Sequence, residues 1–387
     1  MKQIYLDYAA TTPVKEEVLN AMLPYFSKNF GNANSLHSLG QKSYKAIEKS
    51  REEVAKFLNC SPEEIYFTSS SSEAVRVATW GTAIQNSKLK QRVSGLETDL
   101  FRPTILSLST EHINSLDTSV QLIDNNIQVK QIKVNSFGEI DINSFKAQLN
   151  DSVILVNVMS ANNEVGTIYP IAEIVQLCAN HKIPVHTDAT AAACYQKLDV
   201  KKSGVSMLSF GGHKIYGPKG VGVLYVKRGT PFKLPYKLPT PDTPAIVGVG
   251  KACRLAKLNR TAESQRLTKL RDYFIDRVLT NIKGSVLTGH PTNRLPNIAS
   301  FLFKNVEGEA ILLMLNEYGI MASTGSACSS HDLKASHVLL AMGFKEEDAH
   351  GSIRFSLGYD TTAAKLEYTV KVLKETIEKL RRIGFGP

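Results

Sequence analysis

Apolar positions along the chain follow two rhythms. Val153 to Met159 and Val205 to Phe210 are almost continuously apolar, and Ile183 to Asp188 is a third strand-like run. Runs of this length bounded by turn residues predict strands covered on both faces of a sheet. Gly220 to Lys227 alternates β-branched residues and predicts another strand, with shorter ones at 65–68 and 105–108, at 295–303 and around Arg354. A longer period predicts helices over 41–58, 73–80, 245–282, 308–316 and 362–383. In the last, Leu366, Val370, Leu373, Ile377 and Leu380 fall four and three apart, one buried stripe ended by Gly384. Residues 87–102 are polar without a clear period and predict a surface loop. Four prolines between Pro231 and Pro241 predict a stiff, extended connector. Strands alternating with helices predict an α/β fold with a mainly parallel sheet.

The strand ends carry the candidate chemistry. Val153–Met159 runs into Asn162 and Asn163, Ile183 onward delivers Asp188, and Val205–Phe210 delivers Gly211, His213 and Lys214. In open α/β sheets ligands bind at that rim. A lysine on a tight turn, partly desolvated, has a lowered pKa and suits imine formation; most lysines are simply solvated. A lysine, an aspartate and an asparagine at one rim meet the needs of pyridoxal 5'-phosphate: imine, protonated pyridine nitrogen, steadied ring hydroxyl. Strand 65–68 is followed by Ser69 to Ser72 and then a helix, so Ser71 and Ser72 suit either an anion site or an ordinary N-cap.

Composition narrows the class. The 387 residues allow two or three domains, and 43% hydrophobic with 21% charged residues is ordinary for a soluble globular chain. No leader pattern follows Met1 and no apolar run approaches spanning length, which predicts a cytoplasmic protein. Five cysteines are widely spaced with no CxxC pair, arguing against a disulfide framework or a metal site. Cys60, Cys178, Cys194 and Cys253 sit among apolar neighbours as small core residues, whereas Cys328 lies in a loop of small residues, Thr324 to Ser330. The net charge of +10 is dispersed, which predicts no direct nucleic-acid binding and leaves room for an acidic protein partner.

The chain resembles the NifS/IscS-like cysteine desulfurases, class V aminotransferases of pyridoxal phosphate fold-type I. The matching stretches, in family order, are 5–13, 31–37, 110–112, 161–166, those around Asp188 and Lys214, 323–330 and 351–358. The resemblance implies a large α/β domain over 13–244 and a small α+β domain from 1–12 and 245–387. It implies conversion of L-cysteine to L-alanine, with Lys214, Cys328 and His112 catalytic and the sulfur carried as a Cys328 persulfide to an acceptor protein of iron–sulfur assembly or thiolation. Cofactor contacts fall on Ser71, Ser72, His112, Asn163, Asp188, Gly211, His213, Lys214 and Thr240. Arg354, whose fork matches a carboxylate, is implied to hold the substrate; Asn34 suits either that role or a plain turn. A homodimer is also implied.

Three positions depart from the family pattern. Ala191 replaces a glutamine, Gly211 replaces a phosphate-binding serine, and the loop ending Arg-Ser-Gly-Thr is replaced by the proline-rich stretch before Thr240. These departures keep two alternatives open, another pyridoxal phosphate lyase or aminotransferase, and a non-catalytic paralogue acting as a binding partner.

Overall fold

The computed structural model describes residues 3–94, 102–325 and 335–384, so Cys328 lies outside the described residues. The strands in chain order are β1 (Ile4–Tyr5), β2 (Ile65–Thr68), β3 (Thr104–Leu108), β4 (Gln128–Ile132), β5 (Val153–Asn157) and β6 (Val185–Asp188). They continue with β7 (Met207–Gly211), β8 (Gly222–Val226), β9 (Ser285–Leu287), β10 (Ile298–Phe303), β11 (Ile320–Met321) and β12 (Ser352–Ser356). Seven of them form one sheet in the order β2-β8-β7-β6-β5-β3-β4, in which β8 runs antiparallel to both neighbours and the remaining pairs are parallel.

The continuous apolar runs arise because both faces of this sheet are covered. Along β3, Ile105 enters the core beneath helix Ser71–Ser94 while Leu106 enters the core on the opposite face, which also takes Phe145 and Ile174. Met207 and Leu208 split the same way on β7, as do Leu224 and Val223 on β8. Side chains of a strand alternate faces, so a strand buried on both sides loses its polar alternation. Edge strand β4 keeps polar, partly exposed residues, among them Lys130, which blunts the edge.

A second, antiparallel sheet, β12-β10-β9, lies against helices Gly308–Glu317 and Ala363–Gly384, with Phe274, Phe301 and Phe355 meeting edge to face. Helix Thr243–Asn281 contacts both halves, packing on helix Ser38–Leu58 and on β9 and β10. Its start is fixed by Asp242, whose carboxylate accepts the Ala245 N–H at 3.0 Å. β1 pairs with β11 in a separate two-stranded parallel sheet, and Asp7 then bridges to Ser356 on β12, so the first residues dock on the C-terminal part of the chain.

Two expectations need correction. Helix Ser71–Ser94 includes residues 87–94, read from the sequence as loop. Lys88, Leu89 and Lys90 are good helix formers, and Lys90 Nζ ties this end to the Val153 carbonyl at 2.8 Å. The strand predicted from 295 begins at Ile298, because Pro296 has no N–H for the ladder. The proline-rich connector is not free: Phe232, Leu234 and Leu238 pack on the core under helix Ser71–Ser94, and the Lys233 N–H donates to the Gly81 carbonyl at 3.2 Å. Cys178, Cys194 and Cys253 are buried and Cys60 is half-buried; burial pushes the Cys60, Cys178 and Cys194 thiols up to about 12, so they are inert.

Candidate active site

The carboxyl ends of β2, β3, β5, β6 and β7 open into a cavity of about 500 Å³, closed on its far side by residues 7–10 and by β12. Ser71, Ser72, His112, Asn163, Asp188, His213, Lys214 and Arg354 all line it. Residues as far apart in the chain as Ser71 and Arg354 therefore meet at one rim.

Lys214 follows the short helical turn after β7, and its Nζ donates to the carbonyls of Ala9 and Ala10, the latter at 2.6 Å. The same turn is stitched to the N-terminal segment through Thr12, whose N–H and Oγ1 both donate to the His213 carbonyl, at 3.0 and 2.8 Å. His213 Nδ1 lies 3.1 Å from Thr11 Oγ1, and burial followed by the Lys214 and Lys219 charges holds its imidazole down to about 4. It is neutral at physiological pH.

Asp188 ends β6 inside the protein, with Oδ1 accepting the Thr190 N–H at 2.8 Å. Burial raises its pKa despite that bond and the opposing charges of His112 and Lys214. A buried carboxylate of this kind gains from a further cationic N–H partner. His112 caps helix Ile113–Val120 by accepting the Asn114 N–H at Nδ1, 3.2 Å away, which leaves Nε2 as the protonated nitrogen of the neutral ring. Burial lowers its pKa against the pull of Asp188, and the Lys214, His337 and Arg354 charges add to the lowering.

At the other end, Ser71 and Ser72 open a helix of 24 residues whose first-turn N–H groups have no intrahelical acceptor. Asn114 Nδ2 donates to Ser72 Oγ at 2.6 Å. Gly211 faces Ser71: a Cβ on residue 211 would lie 3.2 Å from Ser71 Oγ. Arg354, buried on β12, donates to Asp7 Oδ1 at 3.0 Å and to the Asn163 carbonyl at 3.1 Å. Its Nε is buried without a hydrogen-bond partner among the described residues.

This set fits pyridoxal phosphate. Serine hydroxyls and open N–H groups suit the phosphate, Asp188 suits the pyridine nitrogen, Lys214 the aldehyde carbon, and the orphaned Arg354 Nε remains for a further polar atom. Gly211, Thr240 and Asn34 do not line this cavity, although Gly211 lies against Ser71, which does. Thr240 is exposed beside a separate cavity of about 200 Å³ with Arg51, Phe67 and Ser69. Asn34 is exposed in a turn where its N–H donates to Asn32 Oδ1 at 2.9 Å. The lining residues Asp7, Tyr8, Asn114 and Thr190 were not singled out from the sequence. Of these, only Asp7 and Tyr8, inside the 5–13 stretch, and Asn114, two positions after His112, carried a usable signal.

An α/β rim that holds a lysine, a buried aspartate and a helix-start serine pair defines a pyridoxal phosphate-type site, and the chain belongs to the aminotransferase class-V family, whose pattern matches residues 4–368. Within that family it is 41% identical over 392 aligned positions to a protein named cysteine desulfurase IscS of Dictyoglomus turgidum (strain DSM 6724 / Z-1310), covering 99% of this chain and 96% of the relative. The protein of the same name in Methanosarcina thermophila is 39% identical, covering 99% and 94%. Among solved structures, a NifS-like protein superposes with a TM-score of 0.87 at 29% identity, covering 98% of this chain and all of the other. SspA in complex with cysteine superposes at 0.78, also at 29% identity, covering 92% of this chain and 99% of the other.

Proposed function

We propose that this protein is a pyridoxal phosphate-dependent cysteine desulfurase that converts L-cysteine to L-alanine and leaves the sulfur on Cys328. The observation that carries the reading is the meeting of Lys214, Asp188, His112 and Arg354 around one cavity, in a chain whose relatives carry that activity in their names.

Pyridoxal phosphate, when bound, supplies the electron sink that makes the substrate's α-proton acidic. Asp188 holds the proton on the pyridine nitrogen, and its burial keeps water from competing for it. Arg354 orients the substrate through its α-carboxylate, drawing on a donor at Nε that has no partner among the described residues. Lys214 Nζ, a neighbour of the Ala9 and Ala10 carbonyls, takes the proton from the substrate's Cα. His112, neutral with its proton on Nε2, relays protons at the same face. The Cys328 thiolate attacks the substrate's sulfur; the new S–S bond replaces the substrate Cβ–S bond, Cβ takes up a proton, Lys214 returns the proton it took to Cα, and alanine leaves.

The wider reading is a cytoplasmic homodimer that passes sulfur to an acceptor protein of iron–sulfur assembly or thiolation, with Thr240 serving the partner subunit's phosphate site. No helix among the described residues is long and apolar enough to cross a membrane. A cut near residue 244 between two domains belongs to the same reading. The test is to incubate the purified protein with pyridoxal phosphate and L-cysteine and measure alanine. Alanine that vanishes in Cys328→Ala supports desulfuration; pyruvate points to a lyase; no product in the wild type refutes catalysis.

A further inference from the structure

Tyr216 stands two residues after Lys214 with φ +62°, in the left-handed region, where the Cβ of an L-residue crowds the following carbonyl oxygen. The four other non-glycine residues of positive φ among the described ones are exposed, and three of them are asparagines, which tolerate this conformation best after glycine. Tyr216 is aromatic and 4% exposed. A residue of this kind keeps a strained backbone only where its surroundings over-determine it, and such strain gathers at functional sites.

The surroundings are hydrogen bonds from two distant parts of the chain. The Tyr216 N–H donates to Thr12 Oγ1 at 2.9 Å, its carbonyl accepts the Lys15 N–H at 3.1 Å, and its Oη accepts the Tyr359 N–H at 3.2 Å. Thr12, itself 4% exposed, does more than hold Tyr216. Its Oγ1 donates to the His213 carbonyl at 2.8 Å while accepting from Tyr216, and its N–H donates to the same carbonyl at 3.0 Å. One buried hydroxyl thus grips the residue before Lys214 and the second residue after it. The Ala9 and Ala10 carbonyls, which accept from Lys214 Nζ, belong to the same segment, three and two positions before Thr12.

We infer that Thr12 is a positioning residue for Lys214: by donating to His213 and accepting from Tyr216 it keeps the strained turn closed and fixes where the lysine's backbone stands at the rim. Both directions of the hydroxyl are needed. A valine of the same shape neither donates nor accepts, so the Tyr216 N–H loses its partner and the left-handed residue is free to relax toward an ordinary φ, turning the peptide units that carry Lys214. Because the site is buried, each of these bonds acts in a low dielectric and an unmade one is costly. The inference rests on the reading of Lys214 as the group that moves the substrate's Cα proton, and it involves no step at Cys328.

The test follows that proton directly. Full-length, cofactor-loaded protein is incubated with L-alanine in D₂O, and entry of deuterium at Cα is measured by NMR. Misplacing a reacting group by about 1 Å costs up to about 10²-fold, so Thr12→Val should lose at least about tenfold in the exchange rate at saturating L-alanine. The half-saturating concentration should stay within about threefold. Thr12→Ser, which keeps the hydroxyl, should return to within about threefold of wild type. In the cofactor-free protein, amide hydrogen exchange of the peptide covering 207–220 should be faster in Thr12→Val than in wild type or Thr12→Ser. A wild-type exchange rate in Thr12→Val, no rescue by Thr12→Ser, unchanged amide exchange, or a loss confined to the half-saturating concentration would overturn the inference. Should Thr12→Val not fold, Lys15→Pro decides. It removes the N–H donated to the Tyr216 carbonyl at a residue whose φ of −66° already suits proline. A loss of about threefold or more there supports the clamp, and a wild-type rate overturns it. A wild type that puts no deuterium into L-alanine refutes the catalytic reading of Lys214 itself; one that does, beside an unaffected Thr12→Val, refutes only the role of Thr12.

Discussion

Ser71 and Gly211 face each other across the cavity's phosphate end, and their pairing yields a quantitative prediction. The resemblance implies a phosphate-binding serine at residue 211; here that position is Gly211, and a hydroxyl stands beside it on Ser71. Two side chains there would be tight, since a Cβ on residue 211 would sit 3.2 Å from Ser71 Oγ and 3.3 Å from its Cβ, and Ser71 would have to give by a few tenths of an ångström. Ser71 therefore delivers a hydroxyl into the space that a serine at 211 would fill. Hydrogen bonds to charged groups contribute about 1.5–3 kcal/mol, so Ser71→Ala is expected to weaken pyridoxal phosphate about 10- to 150-fold. Gly211→Ser alone gains nothing, because the new side chain crowds Ser71 at a cost of about 1 kcal/mol or more in stability. The double variant Ser71→Ala/Gly211→Ser relieves the crowding and restores a donor, and should return to within about fivefold of wild type. Equilibrium titration of apo-protein with the cofactor, read by its absorbance, measures all four species. An unchanged affinity in Ser71→Ala, or a double variant no tighter than Ser71→Ala, would show that the hydroxyl has no such role.

Arg354→Lys keeps the charge but loses the fork that reaches Asp7 and Asn163 together; KM for L-cysteine should rise by about 10-fold or more with cofactor affinity unchanged, and an unchanged KM refutes carboxylate binding there. Gly222→Ala drives a Cβ into the backbone of Ser70, which cannot yield without moving the serine turn; a loss of about 1–3 kcal/mol in stability, read by denaturant unfolding, is expected together with weaker cofactor binding. Glu111 accepts the Met159 N–H within the core, and burial, then the Asp188 charge, pushes its carboxyl up to about 8. The folded protein keeps this proton until about pH 8 while the unfolded chain releases it near 4.5, so unfolding releases a proton in that window and stability falls as pH rises through it. Glu111→Gln should therefore gain stability over wild-type apo-protein progressively from pH 5 to pH 8 and level off above, and a Tm difference independent of pH would refute the assignment.

The rim was legible because burial on both faces of a parallel sheet writes itself into the sequence. Ile105 and Leu106, or Met207 and Leu208, must both be apolar, so each strand appears as a largely apolar run, and the polar and glycine residues that follow it mark the rim. Asn163, Asp188 and Lys214 were found by that mark, and it depends on no partner elsewhere in the chain. The extent of helix Ser71–Ser94 was not legible, because its last turns are held by Lys90 on carbonyls near β5 rather than by an apolar stripe. Thr240 and Asn34 illustrate a different limit. Each was placed by its neighbours in a motif, yet lining a cavity is decided by where a turn is pinned in space, and both turns are pinned outside it. Sequence periodicity thus reports what a residue is buried under, whereas the partner of a buried charge is a long-range fact. In this protein two such partners, Asp7 for Arg354 and Asn114 for Ser72, are what convert a recognisable rim into a site with defined geometry.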